Sequence, residues 1–294
     1  MQNDLNVLTI SGVVSVNHNI SGSIGVGSTN EYENSILNGV WSKSTYKNSS
    51  ITKLSPALPD TVEFPNVTEI GDSACRDKFG GKYWNLPECV TIGKYAFVEN
   101  EILLSINLPK CTTVDNYGFY MCRNLTNINL PKCTSVGEYA LAGLTKIVSV
   151  DLPECVTAGK TAFRNNTNMT SINLPKCETI DNNGLAYCSS LTQIVLPKIK
   201  TIGAFGLESC TKLQTVDLGA DVVSVGGAAF SSCTKLDTLI IRANTLLPFS
   251  NNMLASTKIA GGYGHIYVPT ELVDTYKAAA GWSTYANIIE AIPS

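Results

Sequence analysis

Leu86, Leu108, Leu130, Leu152, Leu174, Leu196 and Leu218 stand 22 residues apart, and the first six are each followed by proline. So long a run in constant register leaves few folds open. A chain that repeats itself at intervals of this size builds a solenoid, a propeller or an array of modules. One unit cannot bury its own apolar face, and stacking on neighbours completes the core. The clearest copy is Leu125-Thr126-Asn127-Ile128-Asn129-Leu130-Pro131-Lys132-Cys133.

Counting from the anchor leucine as position 0, further apolar rows recur. Position 3 is Cys89, Cys111, Cys133, Cys155 and Cys177, then Ile199. Position 6 runs from Ile92 to Ile202, position 11 from Phe97 to Leu207, position 17 from Leu103 to Leu213, and position 20 from Ile106 to Val216. From position 20 to the next anchor the pattern is apolar, polar, apolar, a period of two that predicts a short half-buried strand. Proline at position 1 has no N–H to give and ends the strand. Positions 8 to 14, such as Glu138 to Leu144, suit one helical or 3₁₀ turn, too short to stand alone. In-register strands then form a parallel sheet along the solenoid, and eight copies at about 4.8 Å each span roughly 40 Å.

The repeats begin at Phe64-Pro65 with a degenerate copy, in which Cys75 and Trp84 replace the usual residues, as expected of a terminal repeat. The copy at Leu218 carries one extra residue before Phe230, and the pattern decays after Arg242. Three parts are expected: residues 1–60 as a β-rich N-terminal segment that docks on the first repeats, 61–242 as the array, and 243–294 as a C-terminal cap. Val7 to Ile10 and Val13 to Val16 read as short strands in the first part. In the cap, Ile266 to Val268 reads as a last strand, and Thr270 can cap a helix over 271–280 that Gly281 ends. Trp282, Tyr285, Ile288, Ile289 and Ile292 then cover the open end.

Composition narrows the function. A formal net charge of −3 with no block of like charge argues against an electrostatic nucleic-acid binder. No apolar run reaches the roughly 18 residues of a membrane-spanning helix. Met1-Gln2-Asn3-Asp4 carries no positive charge and Val7 to Val16 is interrupted by polar residues, so this stretch does not read as a signal peptide. Gly25-Val26-Gly27 resembles part of a dinucleotide fingerprint, but position 30 is asparagine and no helical pattern follows. No Walker lysine loop, H-E-x-x-H or G-x-S-x-G is present, and two histidines leave little room for a nucleophile and base pair. The reading is therefore of a chain without enzymatic activity, cofactor or metal.

The cysteines have no C-x-x-C pairing, and Ile199, Val67 and Leu144 stand in for them in other copies. A thiol that exchanges with hydrophobes behaves as a small buried apolar residue. Reduced, shielded thiols are expected.

The repeat resembles BspA-like leucine-rich repeats, the Treponema pallidum type. Leu125 to Cys133 fits the leucine-rich template, and Ser135-Val136-Gly137-Glu138-Tyr139-Ala140-Leu141, Leu185 to Leu191, and the tail residues Ile266 to Pro269 and Tyr276 to Trp282 carry the likeness. The resemblance covers about 64–294. The implied fold is an α/β solenoid, a right-handed superhelix of leucine-rich repeats with short parallel strands. The implied role is adhesion and partner binding by surface or secreted proteins of bacteria and some protists. An extracellular or cell-surface location follows, although no leader is visible; a virion-associated or cytoplasmic copy would also lack one.

The candidate site is a surface. Asn107, Asn129, Asp151, Asn173 and Asp217 lie between the inward residues of successive strands and point outward, with Val195 in the same row. A second row holds Ser105, Asn127, Ser149 and Ser171. A flanking row holds Glu88, Lys110, Lys132, Glu154, Lys176 and Lys198. Repeat proteins use such extended faces to bind. The outward row has almost no aromatics, so a protein partner is expected in preference to a glycan. The alternative is a structural spacer, or a prophage or virion-associated protein that displays residues 1–60.

Overall fold

The computed structural model describes residues 60–76 and 81–293, with the backbone of three short strands, Val7–Thr9, Gly25–Gly27 and Ser49–Lys53. The chain winds as a parallel β-solenoid of leucine-rich type, and each turn supplies two strands rather than the one expected. The first sits at positions 19 to 21, as in Ser105–Asn107, Asn127–Asn129, Ser149–Asp151 and Ser171–Asn173. The second sits at positions 5 and 6, as in Thr91–Ile92, Thr113–Val114 and Ser135–Val136. Its signature in the sequence is a Thr or Ser followed by an apolar residue in every copy from Leu86 to Leu218, with Glu69-Ile70 in the first. Both sets pair in parallel and in register, Ser105 with Asn127 and Thr113 with Ser135.

The two sheets differ in continuity. The second set forms one ten-stranded sheet running through the array and back to Gly25–Gly27. The first set is divided into groups of five, two and five strands. Pairing lapses between Asn127–Asn129 and Ser149–Asp151, and again between Ser171–Asn173 and Gln193–Leu196.

The turn at positions 8 to 14 is neither α-helical nor 3₁₀. Positions 9 and 13 are left-handed in every described copy, as in Tyr95 (φ 57°), Glu99 (φ 56°), Tyr117 (φ 60°) and Met121 (φ 61°). Non-glycine residues rarely adopt this conformation. The hydrogen bonds explain it. The N–H groups of Tyr95, Phe97 and Glu99 donate to the next repeat, at Asn116, Gly118 and Tyr120. Those of Ala96, Val98 and Asn100 donate three residues back within their own turn. A helix would send every donor inward; here every second donor ties one turn to the next. Helix is scarce in this solenoid: the described residues contain one α-helix, Val273–Ala278, and it lies beyond the repeats.

The anchor leucines and the rows around them form one continuous core from Val62 to Ile289, with Leu86, Leu108, Leu152 and Leu196 fully buried. The extra residue after Leu218 is absorbed in Gly219 to Val223, where Val222 takes the buried place of Ile199. Gly219 replaces the usual proline at a point of contact, since a Cβ there would lie 2.0 Å from the carbonyl oxygen of Pro197.

Beyond Arg242 the winding continues more than the sequence suggested. Ala228, Phe230 and Ser232 donate to Asn251, Met253 and Ala255, which form another turn of the same kind. His265–Val268 and Ile289–Ala291 extend the strand ladder. The expected helix over 271–280 is shorter, a 3₁₀ turn Thr270–Leu272 running into the six-residue Val273–Ala278, and no Thr270 side chain caps it. Tyr276 and Trp282 are buried at this end, and both are fixed at Leu247: its N–H donates to the Tyr276 hydroxyl and its carbonyl accepts from Trp282 Nε1. Ile289 is buried, while Tyr285 and Ile288 pack on the core from its edge.

At the other end, Val7–Thr9 pairs in parallel with Thr61–Glu63, and Ser49–Lys53 with Val67–Ile70, so N-terminal strands add to both sheets. Gly25–Gly27 is a strand antiparallel to Ser49–Lys53. The strand expected at Val13 to Val16 lies outside the described residues.

Candidate functional site: the outward strand row

Alternation along each short strand places the middle residue inward and its neighbours outward. Ile106, Ile128, Val150 and Ile172 are accordingly buried. Asn127, Asn129, Ser149, Asp151, Ser171 and Asn173 are exposed, and Ser105, Asn107 and Asp217 are half-buried. Strand register brings Asn107 beside Asn129, and Asp151 beside Asn173.

The sequence shows no lateral partners for these side chains; the structure supplies them. Asn85 donates to Glu63 (2.8 Å), Asn107 to Asn85 (2.8 Å), and Asn129 to Asn107 (2.6 Å). Asn173 donates to Asp151 (2.8 Å), and Asn127 to Ser105 (3.2 Å). Asp217 accepts two bonds from the Arg242 guanidinium, at 2.8 and 2.9 Å. The preference for Asn and Asp therefore has a structural cause, because one short amide reaches one repeat back. No such bond joins Asn129 to Asp151 among the described residues, and this is where the strand pairing also lapses. In the flanking row, Lys110 pairs with Glu88 (2.6 Å) and Lys176 with Glu154 (2.7 Å). Exposed pairs of this kind contribute little to stability.

A second feature, half-buried apart from the exposed Tyr95, lies on the turn edge. Tyr95, Tyr117 and Tyr139 occupy position 9 of three successive repeats, and their rings stack at 4.8 and 4.9 Å. Tyr120 meets both Tyr117 and Tyr139 edge-on at 5.5 Å. Its signal in the sequence is a tyrosine that recurs at the repeat spacing within the turn.

All ten cysteines are buried free thiols. Those at position 3 donate to the carbonyl two residues on, as Cys111 does to Thr113 (3.3 Å). Those at position 14 donate to the preceding repeat, Cys122 to Phe97 (2.8 Å) and Cys188 to Phe163 (3.2 Å). Asn166 stands at the same position and does more, donating to Leu141 O (2.9 Å) and accepting from Leu144 N (2.8 Å). Position 14 thus accepts a buried donor that reaches back, or the wholly apolar Leu144. Burial pushes the thiol of Cys133 up to about 11, and those of Cys89 and Cys188 to about 12. Among the described residues no group of three His, Cys, Asp or Glu side chains could hold a metal ion, and no helix is long and apolar enough to cross a membrane.

The model of the BspA type leucine rich repeat region matches this chain in six copies over residues 68–183 and 156–271. No curated protein matches. Among solved structures, a leucine-rich repeat protein from Bacteroides ovatus is 22% identical, with a TM-score of 0.54, covering 86% of this chain and 67% of its own. A leucine rich cell surface protein from Faecalibacterium prausnitzii is 17% identical, with a TM-score of 0.50, covering 84% of this chain and 91% of its own. At these identities the likeness concerns the fold.

Proposed function

This chain belongs to the BspA-type leucine-rich repeat family, and from that premise we propose that it is a non-enzymatic binding module whose outward strand row recognises a protein partner. The observation that supports this reading is the row itself. Ser105, Asn107, Asn127, Asn129, Ser149, Asp151, Ser171, Asn173 and Asp217 stand in register on successive strands, six of them exposed and most of their amides held by the repeat before. Side chains already fixed in the free protein lose little conformational entropy on binding. Each keeps donors or acceptors directed outward, spaced at the interval of extended backbone. Such a surface suits a polypeptide laid along the solenoid. The cell surface is the location proposed with it, on family grounds.

The side-chain ladder also favours a second reading, a spacer that carries residues 1–60, because the ladder stabilises the array whether or not anything binds. One experiment separates the two. Asn129→Lys, Asp151→Lys and Asn173→Lys are combined, and affinity for a partner identified by cross-linking to the full chain is measured with both proteins purified. Two ladder bonds are lost, so the melt should fall by roughly 1–3 kcal/mol at most, while affinity should be abolished. Full affinity in the triple variant would overturn the strand-row reading; loss on deleting 1–60 instead would establish the spacer.

A further inference from the structure

We propose that a hollow on the turn edge, centred on Gly143, binds an acidic sugar, a six-membered sugar ring that carries a carboxylate. This site lies apart from the strand row and does not depend on it.

The hollow exists because one repeat is small where its neighbours are large. Positions 12 and 13 are Tyr120 and Met121 in one repeat, Ala142 and Gly143 in the next, and Arg164 and Asn165 in the one after. These six residues line a space of about 200 Å³, with Tyr139 completing it. The two larger pairs stand two repeats apart, about 10 Å at strand spacing. A drug-sized ligand occupies roughly 300–1,000 Å³; this space is of the size for one sugar unit or one side chain.

Three observations select the ligand chemistry. The first is charge. Arg123 and Arg242 are ion-paired with Glu101 and Asp217, whereas Arg164 has no acidic partner among the described residues. Its guanidinium lies over the Tyr187 ring at 4.8 Å, which holds it in place without neutralising it. A half-buried, pre-positioned guanidinium favours a carboxylate, which it can bind through two parallel bonds. The second is the aromatic wall. The ladder of Tyr95, Tyr117 and Tyr139 ends here, since the next residue in the row is Thr161. Tyr120 and Tyr139, edge to face at 5.5 Å, thus form the aromatic side of the hollow with Met121 beside them. A flat ring with apolar C–H faces and hydroxyls around its rim matches such a wall, and Asn165 adds an amide donor and acceptor. The third is the backbone. The N–H groups of Met121, Gly143 and Asn165 already donate to Ala142, Arg164 and Ala186. This edge therefore offers no free strand donors for a peptide main chain to pair with. What lines it are two tyrosines, an amide side chain and one cation.

Gly143 also provides a sound test. It has φ +73°, but Met121 and Asn165 adopt φ 61° at the same position of adjacent repeats, so the fold accepts asparagine there. A Cβ on Gly143 meets nothing closer than 3.5 Å. Gly143→Asn should fill the hollow and leave the solenoid standing, and Arg164→Gln should remove the charge at similar size. Binding of trigalacturonate to the full chain is measured by calorimetry, beside its carboxyl-reduced neutral counterpart and a short Glu-rich peptide. The expected result is binding of trigalacturonate alone, weakened by about 10- to 100-fold in each variant, the worth of one charge-assisted contact. Thermal melts should stay cooperative, with Arg164→Gln losing only its contact with the Tyr187 ring, and the strand-row triple variant should bind the sugar as the native chain does. Equal binding of the neutral sugar, equal binding of the peptide, survival of binding in both variants, or no binding of trigalacturonate would each overturn the proposal.

Discussion

The strand face and the turn edge share one device, a side-chain amide that reaches the repeat before it, in opposite surroundings. On the strand face Asn129 donates to Asn107 at 2.6 Å in contact with water. At the turn Asn166, fully buried, bonds both Leu141 and Leu144. The surroundings decide what else each position accepts. Outside, the row runs through Asn, Asp and the exposed Val195, because water satisfies whatever the neighbour does not. Inside, the equivalent positions hold Asn100, Cys122, Leu144, Asn166, Cys188, Cys210 and Cys233, each either a donor reaching back or wholly apolar. A buried polar group without a partner would cost about 1–3 kcal/mol. The interior rows are constrained by packing and hydrogen bonding together, and the exterior rows are free to diverge.

The largest test of this contrast is alkaline pH, which ionises the buried thiols of the interior. Thiols ordinarily ionise near 9, and burial raises Cys133 to about 11 and Cys89 and Cys188 to about 12. The folded chain therefore holds protons that the unfolded chain releases. The sign follows: the stabilisation is complete below pH 9 and is lost as pH rises through about 11 to 12. Each thiol raised by two to three units accounts for on the order of 3 kcal/mol. Three together are comparable with the whole stability of a typical domain, about 5–15 kcal/mol. Denaturant melts should show a steep loss above pH 9, and Cys188→Ser should make it shallower. In the native state at pH 7.5 the thiols should resist labelling and all ten should react after unfolding. A pH-independent melt would place these thiols in contact with water.

Next in size is Leu152→Ala, beneath the strand row. Leu152 is fully buried in mid-array, and truncating a core leucine costs about 2–5 kcal/mol. In a solenoid each turn stands on its neighbours, so the loss should appear in a single cooperative melt. A change under about half a kcal/mol would remove Leu152 from the core.

How much could be read from the sequence follows the same division. Leu152 and its row were legible because burial repeats at the chain period and tolerates little variation. The Asn129 ladder was legible only as asparagines that could stack between strands, because a lateral bond between residues 22 apart leaves no trace in one copy. The second strand was overlooked at Thr113–Val114, where two residues are too few to display alternation. The turn was mistaken for helix because Tyr117 and Met121 adopt left-handed backbone that no glycine announces. Met253 and its turn were hidden by the loss of the leucine anchor, though its backbone pairing with Phe230 persists. The tyrosine stack was periodic and visible, but its rings fell at a position read as a connector.

The smallest effect, and the sharpest comparison, comes from making one substitution on each face. Asn166→Ala removes two buried bonds and leaves the Leu141 carbonyl and the Leu144 N–H without their amide partner. No water replaces it in a filled core, so a loss of about 2–4 kcal/mol is expected. Asn129→Ala removes one bond of similar length from an exposed chain. Water then satisfies the Asn107 oxygen, and the loss should be about 1 kcal/mol or less. The two sites lie on different repeats and share no partner, so the double variant should show the sum of the single losses to within about half a kcal/mol. Equal losses in the two single variants would mean that the strand row is desolvated in the free protein. The row would then be part of the core, and its claim to be a binding surface would fall with that result.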